Sequence, residues 1–312
     1  MEKIAGGRQI GGTSMFLFLV NRLSGHGQGL KVWKQTQQLL QEKRIQYDVE
    51  FPGSPVHAAY LLRKYMKEND QVKVVVVVGG DGTVQSIANE LAACSIPLGV
   101  IPAGSGNDFA RALGIPLNPK KALEYILTGV IKKIDIAQSG NKYFVTVVGI
   151  GIDGKIAQTV NHSWYKKWFN TFRLGRLSYV ISLIHVLFSY QPLTVNIKVD
   201  EMEMRFSDVW LIAVANIPNY GGGMIICPGA SYTDGVFDIC IVHGISRFEV
   251  IRIFPQVFVG KHILHPGISM LQGQEVKVFS DSPMPAHGDG EMIGETPIEI
   301  SIRKEAIHVI CK

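Results

Sequence analysis

The apolar positions of the chain follow two different patterns, and the change lies near Asp135. Before this residue, continuous apolar runs alternate with segments in which apolar side chains recur at helical spacing. The clearest example is an unbroken run of valines, which is followed by Val84, Ile87 and Leu91 at intervals of three and four positions. A run of β-branched side chains without polar alternation is typical of a strand buried on both faces. Strands that alternate with helices predict a parallel, doubly wound α/β sheet.

Beyond Asp135, apolar side chains cluster in consecutive strand-like runs, and only the segments 163–189 and 246–260 have a helical pattern. Consecutive strands predict a second, mostly antiparallel domain, built as a sandwich or an open barrel. Within it, the stretch 179–190 is apolar on nearly all sides. Two interpretations of this stretch stay open: a buried helix, or a helix that lines an acyl-chain pocket or touches a bilayer.

The composition agrees with a globular protein, since 46% of the 312 residues are apolar and 18% are charged. The formal net charge of +5 suits an anionic ligand or a membrane surface. Nucleic acid is not expected, because no basic run carries interleaved aromatic residues. The four cysteines form no C-x-x-C pair, so neither a disulfide framework nor a zinc site is predicted, and the cytoplasm is the expected compartment. No run reaches the roughly 18 apolar residues of a membrane span.

Three glycine-rich loops, 21–29, 79–83 and 102–111, each follow a predicted parallel strand. They therefore lie at the carboxyl edge of the sheet, where open α/β sheets bind ligands. Glycine lets backbone N–H groups approach a phosphate, and the N-terminus of the following helix favours negative charge. Asp81 would repel a phosphate unless a cation stands between them, so this residue indicates a magnesium–nucleotide complex.

Other interpretations of these loops are less complete. The loop 79–83 alone is compatible with a tight turn and a helix cap. The first loop, with Glu50 downstream, has some likeness to a dinucleotide-binding fingerprint, but that interpretation leaves the other two loops unexplained. The sequence contains neither the P-loop pattern nor the protein-kinase motifs.

A fourth glycine-rich stretch, 286–291, carries Asp289 and Glu291 two positions apart. If this stretch faces a substrate, Asp289 can take a proton from a hydroxyl group, while Glu291 supports it or a metal. The alternative is an ordinary hairpin turn, in which the neighbouring His287 is incidental.

The chain resembles the diacylglycerol kinase catalytic-domain family from Met15 to its C-terminus, and most closely the bacterial lipid kinases in that family. Sphingosine and ceramide kinases are similar at a greater distance, and NAD kinases and phosphofructokinases share the GGDGT-type loop. The resemblance rests on motifs that occur in the order of the family: GGDGT at 79–83, PAGSGNDFAR at 102–111, GIGID at 149–153, NYGGGMIICPGA at 219–230, DGVFD at 234–238 and HGDGE at 287–291.

The resemblance implies an ATP- and Mg²⁺-dependent kinase that phosphorylates a lipid hydroxyl, most directly that of diacylglycerol to give phosphatidic acid. Asp289 matches the general base of the family, with Glu291 beside it. Asp81 and Asp234 match positions tied to the metal, and Arg111 matches a basic residue near the lipid-facing mouth. The implied nucleotide contacts are Asn21, Ser24, Gly25, Gly79, Gly80, Asp81, Gly82, Thr83, Gly104, Ser105, Asn107 and Asp108.

The resemblance also implies a nucleotide-binding domain over 15–136 and 301–312 and a β-rich lipid-substrate domain over 137–300. Residues 1–14 are glycine-rich and unpatterned, so they are expected to form a flexible leader. The expected partner is a lipid at the membrane surface, through peripheral contact with the inner face of the membrane. An edge strand of the second domain is also suited to pairing two copies into a homodimer. Three other functions are compatible with the motifs: a kinase for phosphatidylglycerol or a sphingoid base, an NAD kinase, and a non-catalytic, nucleotide-gated lipid-binding protein.

Overall fold

The computed structural model describes residues 16–69, 71–92, 94–162 and 186–311. Its contacts divide the chain into two units: unit 1 comprises Met1–Ile134 and Glu305–Lys312, and unit 2 comprises Asp135–Lys304. The leader predicted over 1–14 and most of the apolar stretch 179–190 lie outside the described residues. No helix in the described part of the chain is both long enough and apolar enough to cross a membrane.

Strands and helices alternate in unit 1, and two of its helices begin at side-chain caps. Before the second helix, Ser54 Oγ accepts a hydrogen bond of 3.1 Å from the amide of His57. Asn118 Oδ1 caps the fifth helix in the same way. The elements are β1 (Phe16–Val20), α1 (Ser24–Glu42), β2 (Tyr47–Glu50), α2 (Pro55–Glu68), β3 (Val74–Gly79), α3 (Asp81–Leu91), β4 (Leu98–Pro102), α4 (Asp108–Ala112) and α5 (Pro119–Thr128), followed by β5 (Val130–Ser139), which continues into unit 2.

The sheet of unit 1 is parallel, as the valine run predicts. Strand β3 lies between β1 and β4, and β2 pairs with the outer side of β1. The side chains of Val75 to Val78 are completely buried. The last strand of the chain, β17 (Ile298–Cys311), pairs in parallel with β4 through Val309 and Leu98. Strand β17 therefore extends the parallel sheet that β1 to β4 form.

Unit 2 is β-rich, and its helices are few within the described residues. Its hairpins include a tight turn at Asp200 between two long strands. The elements are β6 (Lys142–Phe144), β7 (Val147–Gly151), α6 (Ile152–His162), β8 (Leu193–Val199), β9 (Met202–Ala215), β10 (Asn219–Tyr220), β11 (Met224–Ile225), β12 (Phe237–His243), α7 (Arg247–Val257), a 3₁₀-helix η1 (Lys261–Leu264), β13 (Ile268–Gly273), β14 (Glu275–Ser280), β15 (Pro285–Gly288) and β16 (Glu291–Glu295).

The strand pairs of unit 2 are antiparallel, as expected for a sandwich. The long strand β9 pairs with β8 along its first half and with β7 and β12 along its second half. Both of its faces are buried there: Ile212 and Val214 belong to one apolar cluster, and Ala213 and Ala215 belong to another that includes Ile253 of α7. The predicted fold class, an α/β domain followed by a β-rich sandwich, is confirmed.

Candidate active site

The three glycine-rich loops meet at one edge of the sheet of unit 1. The amide of Asn21 donates to the carbonyl of Val78, and its side-chain Nδ2 donates to Thr83 Oγ1 at 3.0 Å. The amide of Ala103 donates to the carbonyl of Gly79 at 2.8 Å. The first loop is thus bonded to the second, and the second to the third.

Glycine is required where the loops touch, because their backbones leave no room for a Cβ atom. A Cβ atom on Gly104 would lie 2.5 Å from the Cα atom of Gly80, and one on Gly25 would lie 2.4 Å from the carbonyl oxygen of Ala103. Such distances are shorter than any van der Waals contact. The glycines at these two contacts therefore serve loop packing.

The first loop differs from its predicted form. The sequence indicates an open loop up to Gly29, but α1 begins at Ser24 and contains a left-handed kink at Gly25, His26 and Gly27, with φ values of 55°, 60° and 88°. Two of these positions are glycine, which adopts positive φ at little cost. Ser24 and Gly25 thus belong to a tight turn at the start of a helix.

Asp81 and Asp108 form an acidic pair at the N-termini of α3 and α4. Asp81 Oδ1 accepts a hydrogen bond of 3.1 Å from the amide of Phe109. Burial raises the pKa of Asp81, and the nearby charge of Asp108 raises it further, while backbone hydrogen bonds oppose the shift. An acid such as Asp81, whose charge is disfavoured by a neighbouring carboxyl group, is suited to bind a cation that lies beside a phosphate.

Asn107 and Arg111 hold the third loop in shape. Asn107 adopts a left-handed conformation, and its side-chain amide both accepts from the amide of Gly104 at 2.8 Å and donates to its carbonyl at 2.9 Å. Arg111 is exposed, and its Nε donates to the carbonyl of Gly106. Asn107 therefore positions the loop backbone, and Ser105 is the exposed hydroxyl at the tip.

In unit 2, Asp289 lies in the two-residue turn between β15 and β16. It has a φ of +52° and is followed by Gly290 with a φ of +84°, the pattern of an Asp-Gly hairpin. Its carboxylate accepts hydrogen bonds from the amides of Val145 at 2.9 Å and Thr146 at 2.8 Å, and also from the hydroxyl of Thr146. The turn is a hairpin, and its acid is fixed in orientation by three donors.

Behind this turn lies a buried, hydrogen-bonded pair of a histidine and an aspartate that the sequence does not indicate. His287 Nε2 is 2.8 Å from Asp153 Oδ2, and both side chains are almost fully buried. Burial alone would lower the pKa of His287, but the carboxylates of Asp153 and Asp289 raise it above the ordinary value. The amide of Gly290 donates to His287 Nδ1 at 3.3 Å. His287 is therefore not incidental, since it connects Asp153 to the turn that carries Asp289.

Asp153 also borders an apolar cavity of about 80 Å³ inside unit 2. Its polar lining residues are Asp153, Tyr220 and His262, and the ring of Tyr220 stacks on that of His287. The remaining wall is hydrocarbon or aromatic and comes mainly from α6, β9 and α7: Ile152, Ile156, Trp210, Leu211, Met224, Ile226, Val242, Ile245, Val250, Ile253, Phe254, Val257 and Ile268.

Glu291 and Asp234 are exposed. Asp234 accepts a hydrogen bond within its own turn from the amide of Val236. Asp81 belongs to unit 1 and Asp234 to unit 2. Among the described residues, no group of three or more His, Cys, Asp or Glu side chains has the arrangement of a metal site.

Comparison with known proteins identifies the family of the chain. Residues 15–139 match the family model of the diacylglycerol kinase catalytic domain, and residues 146–311 match that of the YegS C-terminal NAD kinase beta sandwich-like domain. A diacylglycerol kinase of Mycobacterium tuberculosis is 33% identical over 94% of this chain and 93% of its own length. The chain belongs to the diacylglycerol kinase family. It is therefore an enzyme, a phosphotransferase of the lipid kinase class.

Further relatives of this lipid kinase agree with the assignment. A diacylglycerol kinase of Bacillus subtilis is 33% identical over 83% of this chain and 82% of its own length. The crystal structure of a diacylglycerol kinase from Bacillus anthracis superposes with a TM-score of 0.70 at 21% identity and covers 96% of this chain and 97% of that one. This structural likeness supports the two-part fold.

The fold of the lipid kinase brings the predicted nucleotide contacts together in unit 1 and holds Asp289 rigidly in unit 2. Sequence reasoning missed Asp153, His287 and Thr146 as parts of the site. Asp153 ends the motif GIGID, which contributes to the family resemblance, so the motif carried a signal for this residue. Nothing in the sequence indicated that Thr146 donates to Asp289.

Proposed function

We propose that the chain transfers the γ-phosphoryl group of ATP to the hydroxyl group of a lipid, with diacylglycerol as the first candidate and phosphatidic acid as the product. One observation carries the choice of a lipid. The buried Asp153 bonds His287, which lies beside the turn of the proposed base, and it also lines an almost wholly apolar cavity. A hydroxyl on a hydrocarbon tail suits such surroundings better than a soluble dinucleotide does.

The loops of unit 1 are proposed to bind the nucleotide. The glycine-rich backbone at 79–82 suits phosphate oxygens, and α3 directs its N-terminus to the same edge. Asp81 and Asp108 would hold the metal, and Asp234 remains a second candidate. A magnesium ion supplies charge neutralisation of the phosphates in such reactions.

Asp289 is proposed as the general base. Its carboxylate takes the proton of the lipid hydroxyl, the hydroxyl oxygen forms a bond to the γ-phosphorus, and the bond from that phosphorus to the β–γ bridging oxygen breaks. ADP leaves with the electrons of that bond. The donors on Val145 and Thr146 fix the carboxylate during this step, and Glu291 is proposed to support it.

The proposed location is the cytoplasm, with peripheral contact to the inner face of the membrane. Phosphatidylglycerol and a sphingoid base remain alternative acceptors, because each also joins a hydroxyl to an apolar tail. An NAD kinase would share the loops of unit 1, but the apolar cavity of unit 2 gives no recognition for a dinucleotide.

The test measures ATP consumption with Mg²⁺ on diacylglycerol, phosphatidylglycerol and sphingosine in mixed micelles, and on NAD in solution. We expect turnover with diacylglycerol, and a loss of ~10² or more in Asp289→Asn with nucleotide binding retained. The matched control is Asp281→Asn, which changes an exposed acid of the same unit. Normal turnover of Asp289→Asn would refute the assignment of the base, and turnover with NAD alone would refute the lipid acceptor.

A further inference from the structure

Helix α7 is apolar on two opposite faces. Its inner face, with Val250, Ile253, Phe254 and Val257, lines the cavity of unit 2. Its outer side, continued by the residues that follow it, exposes large apolar side chains to solvent. We call this set the outer apolar face: Phe248 (77% exposed), Ile251 (43%), Phe258 (41%), Val259 (63%) and Leu264 (81%).

Part of the outer apolar face forms a stripe on α7. Phe248, Ile251 and the exposed Pro255 are spaced at three or four positions, so the helix places them on one side. Phe258 and Val259 lie in the turn that follows the helix. A surface helix ordinarily has charged or polar residues opposite its buried face. Single exposed apolar residues are common, but several of them grouped on one helix and the turn after it favour an interaction site.

Positive charge borders the outer apolar face. Arg252 on α7 and Lys261 on η1 are exposed. Arg247 is partly buried, and its guanidinium donates to the carbonyls of Leu187 and Tyr190. The one acid of the helix, Glu249, is held at the N-terminus by hydrogen bonds from Ser246, and these bonds lower its pKa. An apolar stripe bordered by cations is typical of a helix that lies in the interface of an anionic bilayer.

We infer that the outer apolar face docks on an anionic lipid bilayer, with Arg252 and Lys261 contacting the headgroups. The choice of a bilayer as the occupant rests on the proposed function, because a kinase for membrane lipids must reach them in the bilayer. The inner face of the same helix lines the apolar cavity. The outer apolar face and the apolar cavity therefore lie on opposite sides of one helix, so a lipid tail that leaves the bilayer beside α7 is close to the cavity.

The first experiment is co-sedimentation of the full chain with phosphatidylcholine vesicles that do or do not contain phosphatidylglycerol. We expect binding that is stronger on the anionic vesicles and decreases with salt. The triple variant Phe248→Gln, Val259→Gln, Leu264→Gln should weaken binding to both vesicle types by roughly tenfold or more.

The double variant Arg252→Gln, Lys261→Gln separates charge from hydrophobic contact. It should lose about fivefold per cation on anionic vesicles and change little on neutral ones. The matched control is Met202→Gln, Phe279→Gln, which removes apolar side chains of similar exposure elsewhere in unit 2 and should bind like the wild type.

Turnover of a short-chain, water-soluble diacylglycerol tests whether the triple variant is folded and active without a membrane. We expect the triple variant to turn over this soluble substrate at the wild-type rate and to lose turnover of long-chain lipid in vesicles. If no form of the chain phosphorylates any lipid but vesicle binding follows the expected order, the docking surface stands and the proposed function fails.

Two results would overturn the docking inference. One is vesicle binding of the triple variant at the wild-type level. The other is a wild-type chain that does not bind vesicles but is a dimer in analytical ultracentrifugation, while the triple variant is a monomer. In the second case, a copy of the chain itself covers the outer apolar face.

Discussion

The loops of unit 1 and the Asp289 turn of unit 2 are built by different means. In unit 1, backbone touches backbone at glycines, so the geometry depends on the absence of side chains at positions such as Gly80 and Gly104. In unit 2, the geometry depends on side chains that come from distant parts of the sequence, since Asp153 and His287 are 134 positions apart. Local sequence motifs therefore predict the loops of unit 1, but they do not predict most of the contacts around the Asp289 turn of unit 2.

The largest effect is expected from adding a side chain between two loops. Gly104→Val should lower turnover by about a hundredfold or more, because its Cβ atom would lie 2.5 Å from the Cα atom of Gly80 and must displace the loop backbone. Steady-state kinetics and nucleotide titration measure the loss. The control is Gly53→Ala, whose added Cβ atom has no neighbour closer than 4.0 Å. Unchanged nucleotide affinity in Gly104→Val would show that tight loop contact is dispensable.

A second prediction concerns the buried pair of unit 2 and pH. Because the pKa of His287 is raised on folding, the folded state binds more protons than the unfolded state between about pH 6.5 and the raised value. The free energy of unfolding should therefore fall as pH rises through this window, by at most about 1.4 kcal/mol per pH unit.

Urea unfolding at a series of pH values measures this slope, and His287→Gln should remove the contribution. His57→Gln, which changes an exposed histidine of unit 1, should leave the slope as it is. A wild-type slope that persists in His287→Gln would mean that another group carries the titration.

The smallest effect is expected at the acidic pair of unit 1. Burial and Asp108 raise the pKa of Asp81, so its charge opposes folding at neutral pH, and this cost disappears as pH falls. Asp81→Asn should therefore increase the free energy of unfolding at pH 7 by up to about 1 kcal/mol, and it should weaken binding of the magnesium–nucleotide complex. Thermal unfolding compares it with Glu68→Gln, an exposed control. A decrease in stability would contradict the assignment of Asp81 as a strained functional acid.

The same contrast explains what could be predicted from the sequence. The valine run fixes a buried strand because no other element accommodates unbroken β-branched residues so well, and β3 is that strand. The Asp289 turn was recognisable because Asp-Gly favours a hairpin. The pairing of His287 with Asp153 was not, because a lone buried histidine gives no periodic pattern. The two apolar faces of α7 were also hidden, since apolar periodicity does not distinguish a buried side chain from an exposed one.

Strand β17 has a consequence for synthesis of the chain. It pairs with β14 over residues 298–301 and with β4 at Val309, so the strand that covers the edge of β4 is translated long after β1 to β4. Until then, the nascent first 134 residues carry an uncovered parallel edge, which is a template for pairing between chains. Such sequence-distant pairing also slows folding. Removing β17 would therefore leave unit 1, whose strands β1 to β4 all lie near the other end of the sequence, prone to aggregation.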